Sequence, residues 1–451
     1  MQSLPHPRWH NQGEAVGPMS RAAFARANAI TPGGSMRSAP FFAPQPPYAM
    51  RGEGCWMTDV DGRRVFDCAN NFFSLVHGHA FPPVVQALHE AIDRGTAFGL
   101  PTESETQLAE AIRQRSPELE QIRFVGTGTE AVMFAIKAAR AITGRPMIAK
   151  FEGAYHGAYD YAEVSLDSSP ENWGDDPVST LYAKGTPASV ATDVLVLPFD
   201  KPADCQRLIA AHATRLAAVL FDPLSSRIAM VPATAELCAV LQETCRQHGI
   251  LLVLDEVVSY RLGVGGAYQV FGLKPDLVAL AKIIGGGLPG GAVAGPARHM
   301  AVFDHTKGKP PVSHGGTFSA NPLTMVAGLA CLAAYDQAAA ARLNRLGESL
   351  RAMLGEQFMR RELPAQATGM GSLFRLHLRT SAITSYRTSL PSAAEKRALA
   401  AIHLAALERG FLLTPNCSGA LSTPMTDDDI HDLAAAIAES VEEVHRETPW
   451  K

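Results

Sequence analysis

Four short runs, Ile122–Val125, Ala217–Phe221, Leu251–Leu254 and Leu277–Leu280, are almost continuously apolar and alternate with helical stretches. A strand covered on one face alternates apolar and polar residues, whereas one covered on both faces does not. Doubly buried strands separated by helices predict an α/β chain with a mainly parallel sheet sandwiched by helices. Within that region Val132, Ala135, Ile136 and Ala139 share one helical face, Lys137 and Arg140 lie opposite, and Gly144 is placed to cap the helix. After residue 335 the character changes to amphipathic helix (395–409, 427–445) with short strands expected at 371–378 and 411–413. The expected organisation is a large ligand-binding domain, 76–335, and a smaller α+β domain built from 1–75 and 336–451.

Several function classes are disfavoured by composition. A net charge of −4 over 451 residues gives no electrostatic reason to expect nucleic acid or an anionic membrane as partner. The stretch 323–335 is apolar but too short to span a bilayer, and it follows Asn321-Pro322, which reads as the start of a buried helix. Residues 1–18 hold no apolar signal-peptide core, and the seven cysteines form no C-x-x-C pair. Core thiols in a reducing, cytoplasmic setting are expected, not disulfides. His77-Gly-His79 has no acidic or thiol cluster beside it, so no metal is expected.

Three constellations carry chemistry. Phe124-Val-Gly126-Thr-Gly128-Thr129-Glu130-Ala131 reads as a strand, a glycine-rich turn and a helix N-terminus, which suits a phosphate. The same spacing satisfies the dinucleotide fingerprint G-x-G-x-x-A, and a plain tight turn also fits. The second run, 249–257, is an apolar strand ending in Asp255-Glu256 at a sheet's carboxyl edge. One such carboxylate under a cofactor ring keeps a pyridine nitrogen protonated; a strand-end turn or a magnesium pair are the other readings. In the third, Lys282 follows five apolar residues and precedes Gly285-Gly286-Gly287. Burial favours a neutral amine, which is what Schiff-base formation requires; a buried lysine paired to a carboxylate is the blander alternative. A dehydrogenase explains only the first of the three.

At this point the chain resembles the class III (ω-type) aminotransferases of PLP fold type I. The resemblance is to the glutamate-1-semialdehyde aminomutase-like branch, which includes β-amino-acid and D-phenylglycine aminotransferases. Its marks are Pro32-Gly-Gly34 with Arg37-Ser38, Arg51-Gly-Glu-Gly54, Asp59-Val-Asp-Gly62, Gly78-His79, Gly128-Thr-Glu-Ala131, Phe151-Glu-Gly-Ala-Tyr155-His156-Gly157, Asp255-Glu-Val257, Lys282, and His314-Gly-Gly-Thr317-Phe with Asn321-Pro322. The resemblance implies pyridoxal 5′-phosphate bound as a Schiff base on Lys282, with Asp255 at the pyridine nitrogen. It places Tyr155 and Val257 on the two ring faces and the phosphate on the amides of Gly128 and Thr129. Thr317 would reach the phosphate of a neighbouring subunit, which implies a homodimer with shared sites. Arg37 aligns with an arginine that binds substrate carboxylate in β-amino-acid relatives.

Three departures stand out. Asp222-Pro223 replaces Glu-Pro, and Arg227 occupies a position that is small, amide or acidic in relatives. Thr414-Pro-Asn416-Cys417-Ser-Gly419 lacks both the acceptor-binding arginine of some relatives and the glutamate that aminomutases tend to carry. Ser259-Tyr260-Arg261 replaces Thr-Gly-Phe-Arg and is expected to reshape the pocket wall. The expected function is amino-group transfer between an amino acid and a carbonyl acceptor, with Arg227 and Arg37 gripping a substrate carboxylate. A 2,1-aminomutase is the alternative, and an NAD-dependent oxidoreductase or a catalytically silent binding protein are remote ones.

Overall fold

The computed structural model describes residues 16–450. They fall into two compact units: 82–341 with 382–389, and 16–81 with 342–381 and 390–450. The larger unit is organised on seven strands: β1 (Gln121–Val125), β2 (Met147–Phe151), β3 (Val194–Leu197), β4 (Leu216–Phe221), β5 (Leu251–Asp255), β6 (Leu277–Ala281) and β7 (Gly291–Gly295). Their spatial order is β1-β7-β6-β5-β4-β2-β3. Only β7 runs against the others, pairing antiparallel with both β1 and β6. The four apolar runs of the sequence are β1, β4, β5 and β6, and every residue of β4, β5 and β6 is buried.

Helix α1 (Gly128–Thr143) lies against this sheet. Val132, Ala135, Ile136 and Ala139 are buried as expected, and Ala131, Phe134 and Ala138 join them, so the buried face is wider than the pattern indicated. Burying a valine, isoleucine or phenylalanine side chain completely stabilises a fold by about 1.5–3 kcal/mol. Gly144 ends the helix with φ 68°, a left-handed value that suits glycine. At the other end Thr127 accepts from the Glu130 amide (3.1 Å), while Glu130 accepts from the amides of Gly126 (2.6 Å) and Thr127 (3.0 Å). That reciprocal box fixes where the helix starts, and it leaves the Gly128 and Thr129 amides with no partner among the described residues.

In the smaller unit, strands Ala49–Glu53, Trp56–Asp59, Arg64–Asp67 and Phe411–Leu412 form one sheet, and Gln366–Thr368, Leu373–His377 and Ser418–Ala420 another. Helices Ala393–Glu408 and Asp427–Glu447 both begin with a side-chain capping box. The segment 382–389, which the sequence placed with the C-terminal region, belongs to the larger unit. All seven cysteines are buried free thiols. Helix Pro322–Ala334 is capped by Asn321, and among the described residues no single helix is long and apolar enough to cross a membrane. His77 and His79 go to separate partners, Thr423 (2.8 Å) and Asp67 (2.7 Å).

Candidate active site

Parallel strands end at a common edge, and five of these strands deliver chemistry there. Gly126–Thr129 follows β1, Tyr155 and His156 follow β2, Asp222 follows β4, Asp255 ends β5, and Lys282 follows β6. Gly128 explains how the pieces meet. A side chain on it would lie 3.1 Å from the Val257 methyls and 3.2 Å from Ala281, tighter than most side-chain contacts, so the missing side chain eases the close approach of the helix start to Val257 and β6. The β2 loop closes on the same helix end, with Ala158 donating to the Thr129 hydroxyl (3.3 Å).

Lys282 sits in the left-handed region at φ 53°, a strained position for a side-chain-bearing residue. Part of its side chain keeps some solvent-accessible surface, but the surround of the amine is dense enough that desolvation dominates. Burial pulls its pKa down, against the attraction of Asp255 and Asp222. The amine makes no hydrogen bond and no ion pair among the described residues, so the alternative of a lysine tied to a carboxylate does not hold. A second lysine, Lys150, has the opposite arrangement. It is wholly buried, its pKa is lowered to about 7 by burial, and it donates to the carbonyls of Ala154 (2.9 Å) and Val164 (2.6 Å). Lys150 ties down the loop, and the Lys282 amine has no such tie among the described residues.

Asp255 accepts from the Val257 amide at 3.0 Å and sits 2.7 Å from His156 Nδ1. His156 is buried, its pKa is lowered by that burial, and its Nε2 has no hydrogen-bond partner among the described residues. No role for His156 was read from the sequence, although it stands in the quoted Tyr155-His156-Gly157 run. The signal was a histidine beside the loop tyrosine; its partner lies 99 residues away and only the sheet order joins them. Glu256 faces away from Asp255, as alternate residues of a strand must. Its carboxylate accepts from the amides of Ala267 (2.7 Å) and Tyr268 (2.6 Å), and burial pushes its pKa up to about 8. The two carboxylates therefore do not form a metal pair. Asp222 is also buried; burial first and Asp255 second raise its pKa, it accepts from the Leu224 amide (3.0 Å), and the nearby Ser259 hydroxyl donates to the Asp255 carbonyl (3.5 Å). Tyr260 and Arg261 are buried core side chains, so of the departure 259–261 only Ser259 reaches this cluster.

The remaining expected residues divide. Tyr155 lies on the β2 loop, half exposed, and Val257 packs against Gly128. Thr317 is exposed on its own loop, with no hydrogen bond to the Lys282 cluster among the described residues. Arg227 does not stand free: it donates to the Leu166 carbonyl (3.2 Å) and pairs with Asp167. Arg37, in the smaller unit, is exposed and donates to Asn71 Oδ1 at 2.9 Å. The turn that satisfies the dinucleotide fingerprint follows β1, an edge strand whose only neighbour is antiparallel. A dinucleotide fold places that turn at the sheet's switch point, so the oxidoreductase reading loses its support.

A free, desolvated amine, a carboxylate held by two bonds and two unpartnered helix-start amides suit the Schiff base, ring nitrogen and phosphate of pyridoxal phosphate. The class-III aminotransferase profile matches residues 43–433. A glutamate-1-semialdehyde 2,1-aminomutase of Thermomicrobium roseum is 39% identical over 409 residues, 89% of this chain and 92% of that protein. Among solved structures, an omega-transaminase from Sphaerobacter thermophilus is 46% identical with a TM-score of 0.93, covering 95% of this chain and 98% of that one. A transaminase solved with PLP bound has a TM-score of 0.88 at 39% identity, covering 95% and 98%. A beta-phenylalanine aminotransferase from Variovorax paradoxus has a TM-score of 0.85 at 33% identity, covering 96% and 95%. The chain belongs to the class-III aminotransferase family and is a pyridoxal-phosphate enzyme.

Proposed function

We propose that this enzyme transfers an amino group from a carboxylate-bearing amino acid, of the β-amino or aromatic class, to a separate carbonyl acceptor. The observation that carries the substrate class is Arg37, an exposed guanidinium that no carboxylate of the described protein neutralises. Planar guanidinium binds carboxylate through two charge-assisted hydrogen bonds. The resemblance of the β-phenylalanine aminotransferase supports the same class.

The reading assigns each residue a task. Bound on Lys282, pyridoxal phosphate supplies a ring that withdraws electrons from the substrate carbon. With the cofactor bound, the Lys282 amine would take the proton from the substrate's amino-bearing carbon and deliver it to the cofactor's C4′. Burial lowers its pKa, which favours the neutral amine that accepts a proton. Asp255 holds the ring nitrogen's proton, and His156 keeps its carboxylate aimed. Gly128 and Thr129 amides hold the phosphate; Tyr155 and Val257 bracket the ring. Donor C–N is replaced by C=O from water, and the acceptor's C=O becomes C–N in reverse, so no external oxidant or reductant is required.

Exposed Phe98, Leu100 and Phe318 support a homodimer in which Thr317 serves the neighbour's phosphate, and the Asn321 side chain donates to the Thr96 carbonyl (2.8 Å), linking the two stretches. Free buried thiols fit a cytoplasmic setting. Aminomutase chemistry is the second reading, favoured by the Thermomicrobium roseum relative. Against it, Asn416 stands in the C-terminal stretch and is engaged with Thr414 (2.6 Å) and Ser418 (2.5 Å), with no glutamate there. A panel of β-amino acids, α-amino acids and amines, each with and without a keto-acid acceptor, separates the two. Turnover that requires the acceptor, with ping-pong kinetics, is expected. Isomerisation of an amino-aldehyde with no acceptor would favour the mutase.

A further inference from the structure

In the smaller unit, Asn70, Asn71, Phe72 and Phe73 all have positive φ (45°, 47°, 55° and 72°), with ψ 55° at Asn71 and 48° at Phe72. This is a turn of left-handed helix made without glycine. L-residues resist that conformation because Cβ crowds the following carbonyl, and asparagine tolerates it better than most. Runs of such residues persist only where their surroundings over-determine them. Here Asp67 accepts from the Asn70 amide (2.9 Å) and is itself bonded by His79 (2.7 Å). Asn70 is buried and donates its side-chain amide to the Ala420 carbonyl at 2.6 Å.

The result of that effort is the placement of Asn71 and Phe72. Asn71 Nδ2 donates to the Ser74 hydroxyl (3.0 Å), and that hydroxyl donates back to the Asn71 carbonyl (3.0 Å). The pair fixes which way the amide faces, leaving Oδ1 as the atom that accepts from Arg37 Nη1 (2.9 Å). Beside it the Arg37 guanidinium carbon lies 5.8 Å from the centre of the Phe72 ring. Both partners orient the cation and neither cancels its charge: one is a neutral amide, the other a ring face. An aspartate in place of Asn71 has the same shape and the same tolerance of left-handed backbone, but it would neutralise the arginine.

We propose that Asn71 and Phe72 form a neutral clamp that sets specificity, holding the Arg37 guanidinium in a fixed pose with its charge reserved for a substrate carboxylate. This rests on the reading of Arg37 given above. It makes Asn71 and Phe72 positioning residues, acting through Arg37.

The test uses holoenzyme and two substitutions that respect the backbone. Asn71→Asp keeps the shape and adds a competing carboxylate; Asn71→Gly relaxes the positive φ and removes the clamp. Hydrocinnamate and its uncharged amide serve as probes, with dissociation constants from calorimetry, alongside kcat/KM for paired acid and amine donors. Asn71→Asp is expected to weaken hydrocinnamate by at least about ten-fold relative to the amide, and to lower the acid-over-amine ratio of kcat/KM in proportion. Asn71→Gly should weaken hydrocinnamate by a few fold while Tm stays at or above that of the wild type. Should Asn71→Asp leave hydrocinnamate binding within two-fold while Arg37→Ala abolishes its preference over the amide, the clamp is wrong and the Arg37 reading stands. No change in that preference in Arg37→Ala overturns both.

Discussion

In the larger unit Asp222, Asp255 and His156 are almost wholly buried near Lys282, and burial shifts the pKa of Lys282, Asp222 and His156 away from their ordinary values. In the smaller unit Arg37 stands exposed against a strained turn, oriented among the described residues by neutral groups. The first arrangement alters what its groups are, lowering a lysine's pKa and raising a carboxyl's. The second alters only where a group points. Reaction chemistry needs the former, because a neutral amine and a protonated ring nitrogen exist near neutral pH only when desolvation or a fixed partner enforces them. Recognition of a carboxylate needs the latter, because a guanidinium is charged at any working pH and must only be kept unspent.

The sharpest way to break this contrast is to remove the free amine. Lys282→Ala should lower turnover by on the order of 10^4-fold or more, since on the proposed reading one group would both hold the cofactor and move the proton. The visible absorbance of the lysine-bound cofactor should vanish with it. Retained turnover, or the same loss in Lys150→Met, would mean that the two buried lysines do not differ as their hydrogen bonds indicate.

His156 gives a smaller effect of a different kind. It touches Asp255 and acts through it, so His156→Gln, which keeps a neutral donor, should cost about ten-fold in kcat and leave cofactor absorbance in place. His156→Phe leaves Asp255 with one partner fewer and should shift the pH profile of kcat, while Gln restores it. Equal profiles in all three proteins would show that His156 only fills space.

Lys150 predicts a pH dependence of stability. Its folded pKa, about 7, lies below its unfolded value, so between about pH 7 and pH 10 the unfolded chain binds more protons. The slope of stability with pH is then positive over that window, and the lysine's contribution worsens as pH falls toward 7. Lys150→Met should flatten this rise in denaturant midpoint between pH 7 and pH 10, whatever it does to absolute stability. An unchanged slope would place the Lys150 amine in a wetter setting than two buried carbonyls provide.

These distinctions were unevenly legible in the sequence. Doubly buried strands announce themselves, so β1, β4, β5 and β6 were readable, and with them the strand-end positions of Asp255 and Lys282. Capping is equally local, which is why the starts near Asn321 and ends such as Gly144 could be placed. Asp255–His156 was not readable, because it depends on β5 and β2 delivering their ends to one edge with β4 between them. The left-handed turn at 70–73 left no mark either: glycine is the usual signal of positive φ, and none is present. Nothing in the order of residues told that Asp167 would take Arg227, sixty positions away.

That last pair sharpens the comparison most cheaply, because it sets one arginine against another. Arg227 was expected to share the carboxylate grip with Arg37, yet the protein already supplies its carboxylate. Its side chain is 40% exposed and that of Asp167 58%, so water screens both partners. An exposed pair of this kind is worth about 0.2–1 kcal/mol. A substrate carboxylate would have to displace Asp167 to reach Arg227 and would gain little by the exchange. Arg37 asks for no such displacement. Arg227→Ala should therefore change Tm only slightly and leave the acid-over-amine ratio of kcat/KM within about two-fold, while Arg37→Ala lowers it by ten-fold or more. Asp167→Ala, which frees Arg227, supplies the counter-test. If removing Asp167 strengthens binding of acids but not of amines, and Arg227→Ala abolishes that gain, then Arg227 is a second receptor held in reserve, and the division between the two arginines falls.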